Sequence, residues 1–298
     1  MPGALAYLNG EFVPRSSATL SVEDRGFVFG DGVYEVWRLI GGHPFELDAH
    51  LARLKFGLAE LRITPPDIAE CDVFANVAKR LLAAAGLETG EATIYVEITR
   101  GAAPRTHQFP LTATRPTVFA VANRFEPPEP LRARGARAIT TPDIRWLRCD
   151  IKTIQLLPNV LGKQAAVEQG ATEAIFIRDG VVTEGSHTNV FGVERGVVRT
   201  HPANNLILGG VTRNVVIDSA RSLGIEVRET AIAGDRIGEL DEVFLVGTTT
   251  DVMPLVRVDE QTIGSGAPGP VAKRLQLALR ERLDALSGER RSPAAIAS

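Results

Sequence analysis

The chain has 298 residues, of which 44% are hydrophobic, and its formal net charge is −3. Acidic and basic residues are interspersed, no apolar stretch approaches the roughly 18 residues of a membrane-spanning helix, and the first residues lack the regions of a signal peptide. These features disfavour nucleic-acid binding and membrane insertion. They predict a folded cytoplasmic protein that acts on small molecules.

The first structural signals in chain order are tight turns between alternating apolar residues. Such turns favour residues that accept a positive φ angle, and they join antiparallel strands. The sequence has them at Asn9-Gly10, Gly41-Gly42, Asp179-Gly180 and Arg195-Gly196. Much of the β-structure is therefore predicted to be antiparallel.

Helical patterns interrupt these hairpins. Asp48 is predicted to cap a helix that carries leucines on one face, and Asp67 to start another that runs toward Gly86. Later helices are predicted over Leu156 to Gln169, Thr212 to Leu223, and Pro270 to Leu286. Helices and antiparallel hairpins in one chain indicate an α+β fold.

A proline-rich polar stretch, residues 123–135, separates two patterned halves and suits a linker between domains. We place the boundary near residue 128, with an N-terminal α+β domain over 1–127 and a C-terminal domain over 128–286. Residues 287–298 lack an amphipathic pattern and are predicted to be a disordered tail.

Two cysteines, Cys71 and Cys149, stand far apart in the sequence. They predict reduced thiols rather than a disulfide or a metal site. No histidine adjoins Cys149, so packing is the expected role of this residue.

Lys152 stands just ahead of an apolar run in "RCDIKTIQLLPNVLGKQAA" (148–166). An ammonium group that is buried loses hydration, which favours the neutral, nucleophilic amine that forms Schiff bases. The alternative is a lysine whose stem packs while its charge reaches water or pairs with Asp150.

An anion site is predicted where "LGGVTRNVV" (208–216) starts a helix near Thr212, because unpaired N–H groups at a helix start favour a phosphate. The hydroxyls of Thr248 and Thr249 and the charge of Arg53 are candidates to complete it. Each signal has a plainer alternative: the glycine pair as a turn, and the arginine as part of a solvated face.

Further polar candidates are Glu184, at the end of a predicted strand, and Arg105 with His107 in "TRGAAPRTHQFP" (99–110). A glutamate near a Schiff base could hold a pyridine nitrogen protonated, and an arginine fork could bind a carboxylate. The alternatives are a capping or surface glutamate and a solvated loop.

Taken together, six ordered motifs resemble the pyridoxal-phosphate-dependent aminotransferases of fold type IV. The motifs are "DRGFVFGDGVYEV", "TRGAAPRTHQFP", "IRWLRCDIKTIQLL", "VTEGSHTNVFG", "HPANNLILGGVTR" and "GTTTDVMPL". The resemblance runs from about residue 5 to 286 and is greatest with the family members that act on D-amino acids.

The resemblance implies pyridoxal 5′-phosphate as cofactor, with Lys152 as the catalytic Schiff-base lysine and Glu184 as the partner of the pyridine nitrogen. The other residues implied to bind the cofactor are Arg53, Ser186, Leu208, Val211, Thr212, Thr248 and Thr249. The substrate carboxylate would be bound by Tyr34, Arg105 and His107, the last two lent by the neighbouring subunit of a homodimer.

The implied fold has a small N-terminal α/β sandwich and a larger C-terminal barrel-like domain, with the cofactor in the cleft between them. The implied reaction is ping-pong transamination between a D-amino acid, such as D-alanine, and a 2-oxo acid, such as 2-oxoglutarate or pyruvate. One departure concerns the turn after Gly185, where family members often have serines and this chain has His187 and Thr188.

The same fold also serves other activities: branched-chain L-amino-acid transamination, transamination of R-amines, and the aminodeoxychorismate lyase reaction. Arg105 argues against amines, since they lack the carboxylate that would pair with it. A cofactor-binding protein without turnover is a further alternative, which the presence of Lys152 and Glu184 disfavours.

Overall fold

The computed structural model describes residues 5–287, and the described chain divides into two compact units. The first unit comprises residues 5–126, 151–155 and 283–287, and the second comprises Pro127–Asp150 and Leu156–Arg282. Both units combine helices with a sheet, which confirms the predicted α+β class.

The first unit contains an antiparallel sheet with the strand order β2-β1-β6-β5-β3-β4. Its strands are β1 (Leu5–Leu8), β2 (Glu11–Pro14), β3 (Gly32–Ile40), β4 (His43–Pro44), β5 (Glu91–Thr99) and β6 (Thr117–Arg124). Its helices are α1 (Arg25–Phe29), α2 (Leu47–Glu60) and α3 (Cys71–Ala85). Helices α2 and α3 pack on the sheet and bury an apolar core that includes Trp37, Leu54 and Phe74.

The predicted hairpin turns are confirmed. Asn9 (φ 53°) and Gly10 (φ 103°) connect β1 to β2, and Gly41 and Gly42 also have positive φ angles between β3 and β4. These are the angles that a tight primed turn requires.

Two predicted helix starts differ from the structure. Helix α2 begins after Glu46, whose side chain makes no capping bond, and Asp48 lies in its first turn instead. Asp67 starts a short 3₁₀ turn, and α3 begins only at Cys71, since the backbone of Glu70 is extended. The predicted C-terminal cap of α3 at Gly86 is present, with a left-handed backbone.

The second unit is built on a nine-stranded mixed sheet with the path β12-β11-β10-β13-β14-β7-β8-β9, and β15 pairs with β14. Its strands are β7 (Ala136–Pro142), β8 (Glu173–Arg178), β9 (Val181–Gly185), β10 (Asn189–Glu194), β11 (Val197–Thr200), β12 (Val227–Glu229), β13 (Glu242–Gly247), β14 (Asp251–Val258) and β15 (Gln261–Thr262). Its helices are α4 (Glu129–Arg134), α5 (Leu157–Glu168) and α6 (Val211–Ser222), and α7 (Pro270–Ser287) ends the described chain. Strand β9 also lies beside β10, so the sheet curls on itself, as the barrel-like expectation requires.

Three segments refine the predicted organisation. The proline-rich stretch contains the end of β6 and all of α4, because Pro128 is followed by a helical turn rather than extended chain. Residues 151–155 group with the first unit, because they bond to β3. Apart from Ser287, the predicted disordered tail lies outside the described residues.

Between residues 5 and 287, the structure contains no helix with the length and apolar character needed to cross a membrane.

Candidate active site

Lys152 lies on a short strap, residues 151–155, that pairs with β3 inside the first unit. The Tyr34 N–H donates to the Lys152 carbonyl at 3.0 Å, and the Thr153 hydroxyl donates to a β3 carbonyl, also at 3.0 Å. Ile151 is buried in the core of this unit, while Lys152 is half-buried. The Lys152 ammonium nitrogen lies 4.2 Å from the centre of the Tyr34 ring. The strap therefore fixes the lysine through its backbone and places its amine against an aromatic face.

The apolar run after Lys152 is less buried than its composition suggests. Leu157 opens α5 and is 76% exposed, and Leu156 is half-buried. Asp150, which was the alternative partner for the lysine, accepts two hydrogen bonds from Arg148, at 3.0 and 2.9 Å.

Glu184 is buried near the end of β9 in the second unit. Arg145 Nη1 donates to Oε1, and Oε2 accepts from Asn189 Nδ2 and from the Leu208 N–H, both at 3.0 Å. Burial raises the pKa of Glu184 to about 7, although Arg145 opposes that rise. The side chain is therefore not the capping or surface group of the plainer interpretation.

Sequence reasoning missed Arg145 and Asn189. Arg145 stands 39 positions before Glu184 and carries no local signal of their contact. Asn189 opens β10 directly after the Gly-Ser-His-Thr turn, and this polar residue at the start of an apolar strand is a signal that could have identified it. The only hint for Leu208 was its place ahead of the glycine pair.

The start of α6 has the character of an anion site. Gly210 is the N-cap and provides no side-chain capping bond, while Val211 and Thr212 are buried in the first turn. A Cβ at Gly210 would lie 2.1 Å from Asn189 Oδ1, so only glycine permits this approach. Helix N–H groups that lack a side-chain cap favour an anion such as a phosphate.

Thr248 and Thr249 follow directly on β13, and α6 packs against this strand. Both threonines are half-buried in the turn that leads to β14. The second unit thus contains the α6 start, these hydroxyls and Glu184 within one fold.

Arg53 lies on α2 of the first unit, where it binds a buried carboxylate. Its Nε donates to Glu35 Oε2 at 2.9 Å and its Nη2 donates to Oε1 at 2.8 Å. His50 Nδ1 lies 3.1 Å from the same Oε1. Burial alone would raise the pKa of Glu35, but Arg53 and His50 hold it well below its usual range.

Glu35 and His50 were also missed by sequence reasoning. A signal was present for Glu35, because it shares a strand face with Val33 and Trp37 and so occupies a core position. A charged residue on the apolar face of a strand needs a partner.

The loop that carries Arg105 and His107 is anchored in the first unit by a charge network. Asp31 accepts hydrogen bonds from Arg25 at 2.8 Å and from Arg100 at 2.7 Å, and Arg25 Nη1 donates to a carbonyl of the loop at 2.7 Å. Arg105 and His107 are both exposed.

Phe29 at the end of α1 lies beneath both loop residues, 5.7 Å from the His107 ring and 5.3 Å from the Arg105 guanidinium. The structure therefore brings these two predicted carboxylate ligands together.

Ser186 belongs to a second buried carboxylate cluster, around Glu173 on β8. Glu173 accepts from the hydroxyls of Ser186 and Thr188, and His187 Nδ1 lies 2.9 Å from its Oε2. Burial alone would raise the pKa of Glu173, but His187 and Ser186 lower it to about 2. His187, whose sequence departs from the family pattern, thus binds a structural carboxylate.

The two reduced cysteines agree with their predicted plain role. Burial raises the pKa of Cys149 to about 11, so its thiol stays protonated near neutral pH, and Cys71 is exposed.

A half-buried amine, a buried carboxylate of raised pKa and an uncapped helix start describe a class of protein: enzymes that hold an anionic organic cofactor. The donor set fits a pyridoxal phosphate, which requires an amine, a carboxylate and an anion site. The model of the class IV aminotransferases matches residues 32–258. The chain therefore belongs to the class IV aminotransferase family.

Within that family, the chain is similar to D-alanine aminotransferases. It is 43% identical to that of Bacillus licheniformis over 92% of this chain and 95% of that protein. With the D-alanine aminotransferase of Staphylococcus haemolyticus the identity is 37%, over 94% and 98% of the two chains.

Solved structures of branched-chain amino acid aminotransferases have the same fold. That of Escherichia coli has a TM-score of 0.86 at 26% identity and covers 98% of this chain and 97% of its own. A thermophilic one (T.th.), complexed with N-(5′-phosphopyridoxyl)-L-glutamate, has a TM-score of 0.83 at 30% identity and covers 97% and 96%. The predicted two-domain fold of type IV is confirmed by these neighbours.

Proposed function

We propose that this protein transfers an amino group between a D-amino acid, such as D-alanine, and a 2-oxo acid, such as 2-oxoglutarate or pyruvate. The observation that carries the proposal is the 37–43% identity to D-alanine aminotransferases over more than nine-tenths of the chain. The expected cytoplasmic location stays a prediction from the sequence.

Pyridoxal 5′-phosphate is the proposed cofactor, and when bound it supplies a protonated pyridine ring that withdraws electrons from the substrate Cα. The start of α6 with Val211 and Thr212, together with Thr248, Thr249 and Arg53, would bind its phosphate. Ser186 and Leu208 are proposed to line the cofactor site, and Glu184 to pair with the ring nitrogen.

Lys152 has two proposed tasks. Its Nζ would bond to the cofactor's aldehyde carbon, and once the substrate amine has replaced it there, Nζ would take the proton from the substrate Cα. The backbone bonds between the strap and β3 keep this amine near the Tyr34 ring. One positioned base can thus serve both tasks.

Trapping experiments test this assignment directly. Reduction of the protein and its cofactor with borohydride, followed by peptide mapping, should place the label on Lys152. Lys152→Ala should abolish turnover while retaining part of the cofactor affinity. A label on another lysine, or normal activity in this variant, would contradict the assignment.

The substrate carboxylate is proposed to bind Tyr34 together with Arg105 and His107 from the partner subunit of a homodimer. Exposed apolar side chains surround the anchored loop, which supports a second copy as the occupant of this face. They are Val22 (78% exposed), Phe27 (76%), Phe109 (45%) and Leu111 (98%).

Mixing two inactive variants tests the shared site. Lys152→Ala and Arg105→Ala proteins, denatured and refolded together in equal amounts, should recover about a quarter of wild-type activity, because half of the dimers would be mixed and each would hold one complete site. No recovery, with dimers present, would place Arg105 in its own subunit's site.

A panel of amino donors tests the reaction itself. D-alanine, L-alanine, D-glutamate and an R-amine would each be offered with 2-oxoglutarate or pyruvate, and the product's handedness read by chiral chromatography. We expect turnover of the D-amino acids. Exclusive use of L-substrates or amines would overturn the proposal.

A second candidate function is branched-chain L-amino-acid transamination. It is favoured by the structural likeness to the branched-chain enzymes, at TM-scores of 0.83 and 0.86. L-leucine and L-valine in the same panel decide between the two functions.

A further inference from the structure

We propose that Arg145 is a positioning residue for this reaction, one that keeps Glu184 ionised and directs it toward the ring nitrogen of the cofactor. The inference rests on the proposed function and deepens it. It assigns a role to a residue that does not itself reach the reacting atoms.

The first step concerns the hydrogen bonds of the Glu184 carboxylate. Its two oxygens have about four lone-pair positions. Within the described residues three of these are used, by Arg145 at Oε1 and by Asn189 and the Leu208 N–H at Oε2. One position is left for a further donor, and a protonated ring nitrogen has one hydrogen to donate.

The second step concerns what holds Arg145. Asp143 accepts from its Nε at 2.9 Å and from its Nη2 at 2.8 Å, and the Leu206 carbonyl accepts from Nη2 at 3.1 Å. The guanidinium also lies 4.8 Å from the centre of the Phe176 ring. These contacts on several sides leave Nη1 aimed at Glu184 in a fixed direction.

The third step concerns charge. An isolated buried carboxylate is costly to ionise, so without a cation beside it Glu184 would become a neutral acid near neutral pH. Burial already raises its pKa to about 7 against the opposing effect of Arg145. Asp143 balances the charge of Arg145, which leaves the negative charge of Glu184 available for a cationic ring.

The test compares Arg145→Gln with Arg145→Lys and with the matched control Arg178→Gln. Arg178 binds the same Asp143, at 3.0 Å, but is not among the donors to Glu184. The control therefore removes a cation from the same cluster and leaves the Glu184 contacts in place.

Two measurements report on the ring nitrogen rather than on folding. The first is the nitrogen-15 NMR shift of labelled pyridoxal phosphate bound to each protein at pH 8. The second is the ratio of the affinities for pyridoxal phosphate and for the analogue in which carbon replaces the ring nitrogen. Thermal unfolding of each variant checks that it is folded.

In the wild type and in Arg178→Gln we expect a protonated nitrogen and a preference for the natural cofactor. In Arg145→Gln the shift should move to the unprotonated position, and the preference should fall about 10- to 100-fold, the range for losing a charged hydrogen bond. Arg145→Lys, which keeps the charge but not the fork, should recover only part of both signals.

A protonated nitrogen and an unchanged affinity ratio in folded Arg145→Gln would overturn the inference. If Arg145→Gln does not fold, Arg145→Lys decides, and full wild-type values of both signals in that variant would overturn it. Equal loss of both signals in Arg178→Gln and in the Arg145 variants would also overturn it. Failure of the wild type to bind pyridoxal phosphate would instead remove the proposed function.

Discussion

Two buried glutamates, one in each unit, each bind an arginine and yet differ in the direction of their pKa shift. Glu35 receives two hydrogen bonds from Arg53 and a contact from His50, and its pKa is held well below the usual range. Glu184 receives one bond from Arg145, whose charge is shared with Asp143, and its pKa rises to about 7.

The difference shows how the surroundings separate a structural carboxylate from a reactive one. Both bear the desolvation cost of burial, but only Glu35 has its charge fully offset within its own unit. Glu184 is left with an incompletely compensated charge. In a site that receives a cationic ring, that deficit favours the bound cofactor, because the ring completes the ion pair.

The largest expected effect is on stability, from breaking the compensated pair. Glu35→Gln should lower the free energy of unfolding by about 3–5 kcal/mol, because it leaves the Arg53 charge without its partner in a mostly buried position. Urea denaturation of the cofactor-free protein measures this. A loss below about 1 kcal/mol would show that the two pairs do not differ as described.

The pH dependence of stability should have opposite signs for the two glutamates. The stability contributed by Glu35, whose pKa is lowered, is present above its unfolded value of 4.5 and is lost as the pH falls below that. Glu184, whose pKa is raised from 4.5 to about 7, contributes below pH 4.5 and loses about 3 kcal/mol as the pH rises through 7.

Urea titrations of cofactor-free wild type, Glu35→Gln and Glu184→Gln between pH 4 and 8 measure these contributions. The difference between wild type and Glu35→Gln should grow with pH, and the difference between wild type and Glu184→Gln should shift in favour of the variant. Parallel curves for the two variants would contradict the comparison.

A smaller effect is expected on turnover from Glu184→Gln. An amide cannot carry the negative charge that holds the ring nitrogen protonated, so kcat for D-alanine should fall about 100-fold, as for the loss of a charged hydrogen bond. Steady-state kinetics measure this. Wild-type kcat in a variant that binds the cofactor would exclude an ionised Glu184 from the reaction.

The smallest effect is expected from an exposed ion pair, which provides the baseline for the comparison. Arg228 pairs with Glu226 at 2.6 Å, and more than half of each side chain is exposed. Arg228→Gln should change the free energy of unfolding by less than about 1 kcal/mol, because water screens the pair. A loss as large as that of Glu35→Gln would mean that burial does not decide these energies.

Much of the fold followed from local rules. The turns at Asn9-Gly10 and Asp179-Gly180 need positive φ angles that neighbouring residues set, and both have them. Helix starts were predicted less well, since Asp48 and Asp67 resemble caps but each lies next to a different start. Capping depends on the backbone of one residue, which packing of the rest of the helix can shift.

The site divides in the same way. Lys152, Glu184 and the α6 start carried signals in their own motifs, as an amine before an apolar run, an acid at a strand end and a glycine pair before a helix. Arg145, Asp143, His50 and the burial of Glu35 carried little or none, because their partners are distant in the chain.

The sequence by itself determined the α+β class, the main turns and helices, and the motifs through which this chain resembles its family. Local backbone preferences and apolar periodicity suffice for these, since they act between near neighbours. Only the tertiary structure decided that Arg53 binds Glu35, that Arg145 binds Glu184, and that their carboxyl pKa values move in opposite directions. Burial and charge compensation depend on every group that packing brings close, and sequence distance does not measure that.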